Sequence, residues 1–81
     1  MRDEISELAL HIIRESNEVL ETKEIEEKIS VSIKDITRTK LFSRLTNLRG
    51  EGLIKGKFVG PGKGVWIWWA EEIFRKGGKN E

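Results

Sequence analysis

Between positions 37 and 49 the chain carries Arg38, Lys40, Arg44 and Arg49 with Ser43 and Asn47 among them, and no Asp or Glu interrupts the run. Leu41, Leu45 and Leu48 recur there at i, i+4 and i+7, so a helix that buries the three leucines turns Arg38, Lys40, Ser43, Arg44 and Asn47 to the opposite side. Arg and Asn carry forked donors and acceptors of the kind that pair with guanine and adenine edges, and an α-helix has the diameter of the DNA major groove. In a chain this rich in charge, the same residues would also make an ordinary solvated helix face. Further on, Lys55 and Lys57 alternate with Gly56 and Phe58, which puts both lysines on one side of a strand, and Lys63 follows in a Gly-rich turn. Such lysines suit phosphate contacts, which fix position without reading sequence. They equally deter edge-to-edge strand pairing, and the two uses are compatible.

Trp66, Trp68 and Trp69 put three indoles into four positions. Strand alternation separates Val65, Ile67 and Trp69 from Trp66 and Trp68. One set would line the core and the other lie under a C-terminal turn carrying Ile73 and Phe74. The alternative is that Trp66, Trp68, Trp69 and Phe74 form a self-association or partner surface, with base stacking as a third use. Phe42 borders the leucine stripe and is assigned no role. His11 is the sole histidine and there is no Cys, so no metal site of a familiar kind is expected. The turn Gly60-Pro61-Gly62-Lys63-Gly64 lacks the spacing of a phosphate-binding loop and falls between strands. No nucleophile stands out, and we expect neither an enzyme nor a cofactor.

Charge is strongly polarised along the chain. Residues 1–30 hold four Lys/Arg against nine Asp/Glu, whereas residues 31–69 hold eight against two, beneath a formal net charge of only +1. A surface divided in this way draws polyanions to one side and repels them from the other. At 81 residues the chain is a single domain, expected over residues 1–76 with a frayed tail at 77–81. No disulfide can staple it, so packing or self-association must hold it together. No apolar run approaches the roughly 20 residues of a membrane span, and the N-terminus lacks the apolar stretch of a signal peptide, so a cytoplasmic protein without a membrane partner is expected. Charged residues are 36% of the chain, Ile is the favoured aliphatic and Gln is absent, a bias that resembles proteins of heat-adapted, for instance archaeal, organisms.

The elements that must position these residues follow from periodicity and punctuation. Ile5, Leu8, Ala9, Ile12 and Ile13 predict an amphipathic helix over about 4–16 with Asp3 as N-cap. Residues 18–22 read as an extended lead into Thr22, the expected N-cap of a second helix over about 23–29 that buries Ile25 and Ile29. Residues 30–37 connect it, anchored by their apolar members, to the third helix, about 37–51, with Thr37 or Asp35 as cap. Gly52 at the left-handed position after that helix would set Leu53 against Leu48 in a Schellman cap. Two strand-like runs, 53–59 and 65–69, flank a turn in which Pro61 and Gly62 fit type II, making a hairpin. A short helical turn is expected from Ala70.

Three helices followed by a hairpin, with the phrases Thr22-Lys23-Glu24-Ile25 and Leu48-Arg49-Gly50-Glu51-Gly52-Leu53-Ile54, resemble the winged-helix branch of the helix-turn-helix proteins over roughly residues 5–69. The connection between helices two and three is longer than in the compact motif. The resemblance implies an α+β fold: a three-helix winged helix-turn-helix with a C-terminal β-hairpin wing and a short C-terminal helical turn. It implies a DNA-binding protein, a transcriptional regulator by expectation. Its recognition helix, about 37–51, would lie in the major groove and its wing, 53–69, on the backbone or minor groove. Double-stranded DNA is then the expected partner and a homodimer the expected state, with no small-molecule effector evident. An adaptor that uses the same fold to bind protein in a transcription, repair or restriction assembly is the alternative.

Overall fold

Asp3 starts the first helix as its residue type suggests. In the computed structural model, which describes residues 2–70, α1 spans Glu4–Glu15, and the Asp3 carboxylate accepts a hydrogen bond from the Ser6 N–H at 3.0 Å. The buried side of α1 is Ser6, Ala9, Leu10 and Ile13, while Ile5, Leu8 and Ile12 are half-buried against the core. The expected stripe is thus rotated by part of a turn. The helix packs against both other helices, so its inner sector is set by two neighbours rather than by its most apolar face.

The segment after α1 does more than lead into the next helix. Leu20 and Glu21 form a short strand, β1, paired antiparallel with Trp68 and Ile67 of the last strand. The second helix, α2, spans Thr22–Ile29, with Glu21 and not Thr22 at its N-cap. Thr22 is buried because its Oγ1 accepts a hydrogen bond from the Trp68 indole Nε1–H at 2.8 Å. The Glu24 carboxylate accepts from the Glu21 N–H at 2.7 Å, satisfying the start of the helix. In the connection that follows, Ile33 and Ile36 pack against the core and Val31 is exposed.

The third helix, α3, spans Arg38–Gly50 and starts at Thr37, whose Oγ1 accepts from the Lys40 N–H at 3.1 Å. Leu41, Leu45 and Leu48 are buried as expected, each burial stabilising by about 1.5–3 kcal/mol. Its end is a full Schellman motif: Leu53 N–H donates to Leu48 O and Gly52 N–H to Arg49 O, both at 3.0 Å, with Gly52 at φ 81°.

Strands β2, Lys55–Val59, and β3, Val65–Trp69, make the hairpin in the register Lys57↔Ile67. The turn is not the expected type II with Pro61 second and Gly62 third: its two central residues are Gly62, at φ 78°, and Lys63, and the Gly60–Pro61 bond is cis. With β1 the sheet has three strands in the order β1-β3-β2. Leu20, Ile54 and Trp68 close the core against buried residues of all three helices. Gly56 permits this closure, because a Cβ there would lie 2.6 Å from the Trp68 ring and 3.2 Å from Cδ of Arg49. Among the described residues no helix is long and apolar enough to cross a membrane. The expected helical turn after Ala70, Phe74 within it, and the tail 77–81 lie outside the described residues.

Candidate nucleic-acid interface

With its leucines inward, α3 exposes Arg38, Thr39, Lys40, Ser43, Thr46, Asn47, Arg49 and Gly50, with Arg38 and Arg49 at the flanks of that face. Three of the five side chains expected on this face, Lys40, Ser43 and Asn47, are on it. Arg38 is exposed at the flank of the face, and Arg44 is half-buried. At 3.6 residues per turn they stand about 60° to either side of the leucine stripe, close enough to α2 and α1 to meet their acids. Arg38 Nε pairs with the Glu26 carboxylate of α2. Arg44 Nη2 lies 2.8 Å from Asp3 Oδ2, and its Nε donates to the same oxygen at 2.8 Å. The hydrogen bond from the Ser6 N–H, and secondly the Arg44 guanidinium, hold the Asp3 carboxyl at about 2 against an ordinary 3.8. The acidic first thirty residues are therefore not turned wholly away from α3. Sequence reasoning passed over Thr39 and Thr46, which the 3.6-residue period places on the exposed face. The Thr46 hydroxyl donates to Phe42 O at 2.9 Å, so its methyl is part of what the face presents.

The hairpin divides its lysines. Gly56 and Phe58 pair with Trp68 and Trp66 on the side of the sheet that meets α3. Alternation puts Lys55 and Lys57 on the other side, with Trp69 and Ile67 as cross-strand partners. Lys63 is exposed in the turn. The expected set of cations is thus not one group: Lys55 and Lys57 are on the outer face of the sheet, apart from those of α3.

The tryptophans expected at a self-association surface are mostly engaged within the chain. Trp66 and Trp68 stack at 5.3 Å between centroids with planes 20° apart, and Phe42 meets both rings edge-on at 5.8 Å. Trp68 is buried, and its indole N–H is bound by Thr22. The reason is geometric: a sheet lying against a helix needs wide, flat side chains to fill the gap, and Phe42 is the wedge from the helix side. Trp69 is half-buried on the outer face. Phe58, 53% exposed, stands edge-on to Trp66 at 6.0 Å. It borders an open groove of about 490 Å³ between α3 and the hairpin, whose wall includes Lys23, Arg38, Thr39 and Val65. Arg49, assigned no part from the sequence, sets its guanidinium carbon 5.6 Å from the Trp66 ring centroid. His11 is exposed on α1.

No protein-family model matches the sequence, and no curated protein does. Among solved structures, the chain is similar to one from work on the DNA-recognition and protein-interaction domains of HOP2, with a TM-score of 0.67 and 21% identity over 83% of this chain and 98% of the other. It is also similar to Bacillus subtilis PadR in complex with operator DNA, with a TM-score of 0.64 and 13% identity over 95% of this chain. The chain spans about half of PadR, 49% of its length. At these identities the likeness is one of fold, and it agrees with the order of helices, the helix-turn-helix pair α2–α3 and the antiparallel hairpin after it: the fold is a winged helix.

Proposed function

We propose that this winged helix binds double-stranded DNA as a small regulatory protein, with α3 in the major groove and the hairpin turn against the backbone. The observation that carries the reading is the exposed face of α3. Over its thirteen residues the helix has no acid, and it presents Lys40, Ser43 and Asn47 beside the short side chains Thr39 and Thr46, which let the backbone come close to base edges. Lys63 extends the cationic surface at the hairpin turn. The likeness to PadR, solved with its operator, and to HOP2, studied for DNA recognition, supports the same use of the fold. In this arrangement Asn47 reads a base, Lys40 and Lys63 contact phosphates, and Lys55 and Lys57 chiefly protect the edge strand. A single module of this kind buries roughly 600–1,000 Å² on DNA, so a homodimer on two half-sites is the form we propose for specific binding.

One observation favours the adaptor reading. Arg38 and Arg44 are each held by a carboxylate, which lowers the positive potential beside α3, and the groove with Phe58 on its rim offers apolar area to a protein partner. Duplex titration at two salt concentrations separates the two. A DNA reader loses affinity with a log–log slope of about 0.9 per neutralised phosphate. Asn47→Ala should relax discrimination between duplexes by about 1–3 kcal/mol at one position, and Lys63→Ala should weaken all duplexes alike. Absence of duplex binding at low salt would move the assignment to the adaptor.

A further inference from the structure

We propose that Arg49 is a phosphate-binding residue beside the hairpin, held ready by a cation–π contact with Trp66. The proposal rests on the DNA-binding reading and adds to it a residue at the flank of the face that carries it. Three observations converge on this side chain. Arg49 is the arginine of α3 for which, among the described residues, no carboxylate lies within ion-pair distance, whereas Arg38 and Arg44 are each bound to an acid. Its guanidinium lies over the Trp66 ring, 5.6 Å from the centroid. Its stem crosses Gly56, where a Cβ would come within 3.2 Å of the Arg49 Cδ, so the strand leaves the room that this conformation needs.

The platform under the guanidinium is itself fixed. Trp66 is stacked on Trp68, flanked edge-on by Phe42 and Phe58, and paired in the strand with Phe58. A guanidinium laid on an aromatic face uses its π surface for the stack and keeps the N–H groups of its edge for an acceptor. Two parallel donors on that edge match two oxygens of a phosphodiester. Side chains of a helix lean toward its N-terminus, so Arg49 reaches back from the last turn of α3 toward the part of the helix that faces the hairpin turn. A DNA strand lying between recognition helix and wing would pass that edge. The competing account is structural: a cation in the last turn offsets the partial negative charge of the helix end and covers Trp66.

Salt-dependent titration of a random-sequence DNA duplex, with melting temperatures measured in parallel, distinguishes these accounts. Arg49→Met, which keeps an apolar stem over Trp66 and removes the charge, should lower the log–log salt slope by about 0.9, one phosphate fewer. Arg49→Gln should give the same slope change if the methionine variant melts too low to use. Trp66→Phe should leave the slope unchanged and weaken binding about two- to fivefold, because the cation remains but is less well held. A wild-type slope kept in both charge-removing variants, with their melting temperatures reduced, would overturn the phosphate role and leave the DNA-binding reading standing. Failure of the wild-type chain to bind the duplex at low salt would overturn both.

Discussion

Asp3→Asn tests whether the contact between the start of α1 and the middle of α3 is worth what its geometry suggests. The Asp3 carboxyl, ordinarily at 3.8, is held at about 2 by the Ser6 N–H and by Arg44. Taken at face value that difference corresponds to about 2.4 kcal/mol of preference for the ionised form in the folded state. The Asp3 side chain is 43% exposed and that of Arg44 30%, so solvent screening reduces the contribution to about 1 kcal/mol or less. Asn caps a helix as well as Asp does, so the substitution removes the charge and largely keeps the bond from Ser6. A carboxyl depressed on folding stabilises fully above its unfolded value and loses that effect as pH falls through its folded one. The variant should therefore be less stable than wild type above about pH 4, with the two converging as pH approaches 2. Urea unfolding followed by tryptophan fluorescence from pH 2 to 6.5 measures this, and at pH 6.5 a loss of 1 kcal/mol should lower the melting temperature by about 4–8 °C. With Arg44→Met already in place, Asp3→Asn should cost less by the share that Arg44 contributes, while the larger share, from the Ser6 N–H bond to the carboxylate, remains. A gap that is the same at pH 2 as at pH 6.5, or no gap at either, would refute the carboxylate's charge as the cause, and a cost unchanged by Arg44→Met would refute the pairing.

Three further outcomes follow from the packing. Gly56→Ala would place a Cβ 2.6 Å from a Trp68 ring that is 1% exposed and cannot move aside; a loss of about 1–3 kcal/mol is expected, read as a lower urea midpoint at constant slope. Gly50→Ala should stabilise by about 0.8–1 kcal/mol, since Gly50 is helical and a Cβ there meets nothing within 4 Å; an unchanged midpoint would contradict the helical assignment of that last turn. Thr22→Val should cost about 1–3 kcal/mol by leaving the buried Trp68 N–H without its acceptor, and Thr22→Ser should recover most of it, both by chemical denaturation.

The legible parts of this chain are the ones whose interactions close within a turn or two. Asp3 bonding Ser6, Thr37 bonding Lys40, and the Leu53–Leu48 end of α3 each span three to five positions, so residue type and spacing alone locate them. The hairpin is legible for the same reason, because residues 60–64 could only turn. Where local rules failed, a distant group had taken the side chain. Thr22 looked like a cap and is instead the acceptor for Trp68. Leu20 and Glu21 are too few to show a strand period, and become a strand because β3 offers its free edge.

Amphipathic spacing and end signals were enough to place three helices and a hairpin, and the phrases around Thr22 and Leu48 to suggest the winged-helix arrangement, since these depend on backbone hydrogen bonds and side-chain periodicity within single elements. The tertiary structure decided which cations are available on α3. Arg38 meets an acid 12 positions away and Arg44 one 41 positions away, while Trp68 finds Thr22 across 46, and no periodicity reports such pairings. Coulomb attraction and aromatic packing act through space, so the free charge on α3, the fate of the tryptophans and the exposure of Arg49 over Trp66 exist only once the helices and the sheet have been brought together.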